Sequence, residues 1–154
     1  MHPKYNFKIV KHGEEAYWQT VALRDDVLRK PLHLNFTKEE LLLENDSLHL
    51  VCEVDGKIVA CLILKKIDEK TVKMRQVAVA TALQGTGIGK KLIQYAEKVA
   101  QENGFQRIEL HVRTSAVPFY LKLVGYRTIG DEFLEVGLPH LAMEKHLSTS
   151  TANL

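Results

Sequence analysis

The chain has 154 residues, 45% of them hydrophobic, and a net charge of +2 from 21 basic and 19 acidic side chains. That length suits one domain with a sizeable core, and the balanced charge argues against nucleic acid as a partner, which normally demands a concentrated basic face. No window is apolar for the length that a membrane span needs, and Met1 to Tyr5 lacks the apolar run of a signal peptide, so a soluble, cytoplasmic protein is expected.

Asn6–Val10 reads as a short first strand. Gly13 to Lys30 reads as a helix, because Ala16, Trp18, Val21, Ala22, Val27 and Leu28 recur at helical spacing and Pro31 ends the run. Thr37 and Glu40 have the spacing of a capping box, opening a short helix through Leu43. Leu48–Val54 and Lys57–Ile67 flank Asp55-Gly56, a strong two-residue hairpin signal. In that register Cys52 pairs with Val59 and Cys61 with Leu50. The two thiols then share a face as a diagonal pair, about 7–8 Å apart, which is long for a disulfide, so two buried free thiols are expected. No CxxC or Cys/His cluster suggests a metal.

Thr71–Ala80 reads as another strand. Beyond it, Ile88, Leu92, Tyr95, Ala96, Val99 and Ala100 form one helical face opposite a polar one, and Asn103-Gly104 closes this helix. Arg107–Val112 is the next strand, and Ser115 to about Val124 the next helix, with Pro118 in its first turn. Tyr126–Ile129 and Leu141–His146 are closing strands, and 148–154 is a polar tail expected to fray. The order predicts one mixed α/β (α+β) domain over residues 1–147, built on a single central sheet.

The stretch Gln84-Gly85-Thr86-Gly87-Ile88-Gly89-Lys90 lies between a strand and a helix. Helix N-termini carry unpaired N–H groups and a partial positive charge, and glycines let the backbone curl around a ligand. The loop is therefore suited to an anion, usually a phosphate. It fails the dinucleotide fingerprint, which needs Gly where Lys90 stands. It also fails the P-loop pattern, which needs Gly at position 84 and Ser or Thr at position 91.

What remains, Gln84-x-x-Gly87-x-Gly89 after the strand Val77-Ala78-Val79, resembles the main motif of the GNAT superfamily of acyl-CoA-dependent N-acyltransferases. Ala116-Val117-Pro118-Phe119-Tyr120-Leu121-Lys122 with Gly125-Tyr126 resembles that family's second signature, except that two residues, Leu123 and Val124, separate Lys122 from Gly125 instead of one. The likeness runs from Leu50 to His146. It implies a mostly antiparallel sheet with helices on both faces and one splayed parallel strand pair, made of the strand before the loop and Arg107–Val112. It also implies acetyl-CoA as cosubstrate, with its pyrophosphate on Gln84, Gly85, Thr86, Gly87, Ile88 and Gly89 and Lys90 alongside. The pantetheine would then pair with the backbone of Val77, Ala78 and Val79.

The resemblance further implies direct acetyl transfer to a primary amine, with Tyr120 as the acid that serves the departing thiolate. The strand before the loop reads Met74-Arg75-Gln76 and lacks the carboxylate that many relatives carry there, so the base is elsewhere, with His111, His140, Glu135 and Glu53 as candidates, or is a water, or is unnecessary for a weakly basic amine. Arg24 and Arg29, in a helix resembling a subgroup of small GNAT proteins, are candidates to meet an anionic substrate. A small-molecule amine is the expected acceptor, and a homodimer is allowed by family habit. No metal is implied. The alternative is a non-catalytic acyl-CoA sensor of the same fold.

Overall fold

The computed structural model describes residues 4–147; the polar tail at 148–154 lies outside them. Seven strands form one sheet: β1 (Tyr5–Val10), β2 (Leu48–Val54), β3 (Lys57–Lys66), β4 (Thr71–Val79), β5 (Arg107–Arg113), β6 (Arg127–Glu135) and β7 (Leu138–His146). Their order across the sheet is β1-β2-β3-β4-β5-β7-β6. Every neighbouring pair is antiparallel except β4 and β5. These two pair only through Thr71, Val72 and Lys73, opposite Arg107, Ile108 and Glu109. Beyond Lys73 they diverge, and a cleft opens between them.

Helices cover both faces. On one lies α3 (Ile88–Glu102), whose buried stripe of Ile88, Leu92, Ile93, Ala96, Val99 and Ala100 joins Leu50, Leu62, Leu64 and Met74 in the larger core cluster. Each large aliphatic side chain so buried contributes roughly 1.5–3 kcal/mol. On the other face, α1 (Glu15–Arg24) packs over Val51, Cys61 and Ala78. The helix expected over 13–30 does not stay regular. It widens to a π-turn over Asp25–Arg29 and tightens to a 3-10 turn at Lys30–Leu32, where Pro31 sits in the first turn and His33 adopts a left-handed φ of 58°. α2 (Lys38–Leu42) opens with the expected capping box: Thr37 Oγ1 accepts from Glu40 N–H, and Thr37 N–H donates to Glu40 Oε1.

Two bulges re-phase the sheet. The Asp55-Gly56 hairpin pairs Val54 with Lys57 as expected, but the register then slips, so Cys52 pairs with Ala60 and Cys61 with Val51. The thiols therefore lie on opposite faces of the sheet, Cys52 under α3 and Cys61 under α1, which corrects the shared-face reading. Both are free and buried, and burial pushes the Cys61 thiol up to about 12. The second bulge is in β4 at Gln76, whose φ is 56°. Before it, Val72 and Met74 face α3; after it, Val77 and Val79 do. One inserted residue has exchanged even positions for odd, the geometric signature of a bulge.

The last hairpin is longer than its sequence suggests. β6 runs on to Glu135 through an irregularity between Ile129 and Phe133, and the turn is Val136-Gly137, both at positive φ. Among the described residues no helix is long and apolar enough to cross a membrane.

Candidate active site

The loop expected to hold an anion is built from two glycines that need their freedom: Gly85 has φ 81° and Gly87, the N-cap of α3, φ 92°. Gly87 has no side chain to cap the helix. Among the described residues the N–H groups of Gly85, Gly87, Ile88, Gly89 and Lys90 have no hydrogen-bond acceptor, while those of Gln84 and Thr86 turn back to Thr81 and Leu83. The loop thus presents a row of free donors at the positive end of a 15-residue helix. Gln84 pins it to the sheet, its Nε2 donating to Val79 C=O at 3.1 Å. Lys90 flanks the same hollow, whereas Lys91 turns away and lies 4.9 Å over the Tyr5 ring.

That hollow is about 560 Å³, lined by the loop, by Val77 and Val79 of β4 and by Phe119 and Tyr120 of α4 (Val117–Leu123). A second cavity of about 680 Å³ lies in the cleft between β4 and β5. Its walls include Arg29, Arg75, Gln76, His111, Arg113 and Glu135. Tyr120 borders both cavities. Its side chain is buried, with its ring edge-on to Phe119 and Tyr126, and burial pushes its hydroxyl up to about 12. The phenol therefore stays protonated at neutral pH.

The extra residue after Lys122 leaves Tyr120 in place. Tyr126 N–H donates to Tyr120 C=O at 2.9 Å, a closure spanning six residues where the common Schellman turn spans five. Gly125, at φ 77°, absorbs the wider exit, and Val124 is buried beneath it.

Three candidate acid–base residues converge in the second cavity. His111 Nδ1 is 2.8 Å from Glu135 Oε1, and His140 Nε2 is 3.8 Å from Glu135 Oε2. A carboxylate accepts only, so His111 carries a proton on Nδ1, and in the neutral ring its Nε2 is the base. His140 donates through Nδ1 to Leu138 C=O at 2.9 Å, so its Nε2 pairs with the Glu135 carboxylate only when the ring is protonated. Burial works to raise the Glu135 carboxyl, but the His111 hydrogen bond and the charges of His111, His140 and Lys73 outweigh it and hold the group below the usual carboxylate range. Lys73 Nζ lies 3.4 Å from His111 Nδ1; burial first, then Arg75, lowers its pKa.

Glu53 is not brought to the site. It lies near the end of β2 and pairs with Lys8 at 2.9 Å. Arg24 is also misread by the sequence. It is fully buried under α1, with both guanidinium arms on Glu44 at 2.8 and 2.9 Å, and Tyr17 Oη closes the same carboxylate at 2.8 Å. A guanidinium so enclosed is a structural ion pair and does not reach the cavity. Arg29 does line it, while pairing with Glu40 at 3.2 Å and stacking 4.2 Å over Phe36. Lys73, Arg75, Gln76 and Arg113 were missed. Their signal was present as polar residues two apart on neighbouring strands, Lys73 and Arg75 on β4, His111 and Arg113 on β5.

The chain is similar to known acetyltransferases in sequence and in fold. The sequence model of the Acetyltransferase (GNAT) family matches residues 11–126. The uncharacterized N-acetyltransferase YjcF of Bacillus subtilis (strain 168) is 30% identical over 138 residues, 89% of this chain and 97% of that protein. An acyl-CoA N-acyltransferase from Pseudomonas aeruginosa superposes with a TM-score of 0.79 at 20% identity, over 92% of this chain and 99% of the other. A GNAT family acetyltransferase from Elizabethkingia anophelis, solved with acetyl-CoA bound, gives a TM-score of 0.72 at 15% identity over 93% and 98% of the two chains.

Proposed function

The chain belongs to the acetyltransferase (GNAT) family and is an acyltransferase, and from that premise we propose that it moves the acetyl group of acetyl-CoA onto a primary amine of a small molecule, by direct attack while both substrates are bound. One observation carries the reading: the hollow under the anion loop and the cavity between the splayed strands meet at Tyr120. The first suits coenzyme A. Its pyrophosphate would take the free N–H groups from Gly85 to Lys90. Its pantetheine would run along Val77 to Val79 on the side of β4 that faces β5, where the pairing with β5 has already ended at Lys73. The second cavity suits the amine.

In the reaction the amine nitrogen attacks the thioester carbonyl carbon, the C–N bond forms, and the C–S bond breaks. The amine must arrive neutral and must lose one further proton as the amide forms. His111 Nε2, oriented by Glu135 at Nδ1, is the base assigned to these protons, with His140 beside the same carboxylate. The sulfur leaves as a thiolate. With a pKa of about 12, against about 8.5 for a thiol, Tyr120 does not surrender its proton outright. It stabilises the departing sulfur as a hydrogen-bond donor while charge develops. The test is thiol release from acetyl-CoA across a panel of amines, with acetylated product read by mass. Acetyl-CoA that does not bind in calorimetry, or binds and never loses its acetyl group to any amine, overturns the reading.

A further inference from the structure

A guanidinium is always charged, and where it is half-buried it is normally met by a carboxylate or a phosphate. The chain has six arginines, all among the described residues. Four have a carboxylate: Arg24 has Glu44, Arg29 has Glu40, Arg107 has Glu109 and Glu144, and Arg127 has Glu144. Arg75, which is half-buried, and Arg113, which is exposed, have none, and among the described residues neither side chain donates a hydrogen bond. These two line the same cavity, one on β4 and one on β5, across the cleft where the strands part.

The rest of that wall carries the same sign. Arg29 belongs to it, and Lys73 stands beside His111. Glu135 is the acid of the wall, and its two oxygens are turned to His111 and His140. One more group waits for a partner. Gln76 Oε1 is buried and accepts no hydrogen bond, so it is suited to an N–H donor.

We propose that the acceptor is a small primary amine that also carries an anionic group, a carboxylate or a phosphate. The anion is held by Arg75 and Arg113, and the amine N–H is received by Gln76 Oε1 beside His111. Guanidinium forks bind either anion in two-point fashion. A polyamine, or a lysine within a basic peptide, would instead add positive charge to a wall that already holds it unpaired. The proposal rests on the acetyl-transfer reading above and narrows it to a substrate class.

The test compares matched acceptors: each proteinogenic α-amino acid beside its carboxamide, O-phosphoethanolamine beside ethanolamine, and spermidine. Thiol release gives kcat/KM, and calorimetry gives acetyl-CoA affinity independently. The best anionic amine is expected to exceed its uncharged partner by about a hundredfold, from two charge-assisted contacts of about tenfold each. The amino-acid and phosphate arms decide which anion is used. Arg75→Gln and Arg113→Gln should each cut the preference about tenfold, mainly through KM. Arg75→Lys and Arg113→Lys, which keep the charge and lose the fork, should lose part of it, and they replace a Gln variant that does not fold. Equal or better use of the uncharged partner or of spermidine overturns the proposal. So does a preference that survives the substitutions, or bound acetyl-CoA with no anionic amine acetylated. Acetyl-CoA that fails to bind is a different result: it overturns the acetyl-transfer reading itself, and the substrate class falls with it.

Discussion

The Arg24 cluster and the Arg75–Arg113 cavity use the same residue type to opposite ends. Under α1, Arg24, Glu44 and Tyr17 satisfy one another completely: two guanidinium arms and one hydroxyl on one carboxylate, all buried. Burial alone would raise Glu44, but the hydrogen bond and charge of Arg24 keep it ionised. Across the cleft between β4 and β5, two guanidiniums and a buried amide oxygen are left without partners, beside a histidine whose second nitrogen is free. A closed cluster contributes to holding the fold. An open one is incomplete until something enters it. The lesson is that an arginine's role is read from what faces it; motif position alone put Arg24 in the wrong class.

That contrast can be broken by substitution. The largest effect is expected on the open side. Tyr120→Phe should lower kcat by about 10²- to 10⁴-fold, with acetyl-CoA affinity held in calorimetry; equal turnover would remove Tyr120 from the chemistry. Arg24→Ala should act on the closed side only. It strands Glu44 in the interior and should cost about 3–5 kcal/mol of stability, read from the midpoint of urea unfolding. Arg24→Ala with Glu44→Ala should cost less than the two single losses added together. His111→Gln reverses the pattern, with kcat/KM down about 10²-fold and an unfolding midpoint close to that of the parent. If it unfolds the protein instead, the His111–Glu135 pair is closed and structural.

The smallest effect concerns pH and a third ion cluster. The Arg107 hydrogen bond first, then Arg127, holds the Glu144 carboxyl down to about 2, against an ordinary value of 4.5. The folded state therefore binds this proton less readily than the unfolded chain. The stabilisation is complete above pH 4.5 and drains away as pH falls toward 2. Arg127→Gln should lower stability slightly at neutral pH, by about 0.2–1 kcal/mol, and the difference from the parent should shrink as pH falls toward 2, read from urea midpoints at pH 7 and pH 3.

Much of this was legible in the sequence. The amphipathic face of α3, the Thr37 capping box and the Asp55-Gly56 turn each depend on residues close in the chain, and local rules find them. The glycine loop and Phe119-Tyr120 were legible as a pair because their chemistry fixes residue types at fixed spacing. The bulges were not. A slip at Cys52 and an inserted Gln76 arise from strand partners far away in sequence, and they moved Cys61 to the other face. Arg24 failed for the same reason, since Glu44 lies 20 residues on and nothing local announces it. The convergence of His111, Glu135 and His140 could be named as candidates but not as neighbours, because β6 proved longer than its apolar pattern and carried Glu135 back across β7 to the cleft.

The bulge at Gln76 divides β4 into two segments read in different frames. The upstream frame supplies Arg75 to the cavity between the strands, and the downstream frame supplies Val77 and Val79 to the hollow under the glycine loop. Deleting that single residue would restore unbroken alternation, with Val72, Met74, Val77 and Val79 still on one face, and would remove the buried Gln76 oxygen from the cleft. Substitutions within the upstream half leave the downstream phase untouched. Under the proposed function, a strand of this kind lets the choice of acceptor drift while the grip on coenzyme A stays constant.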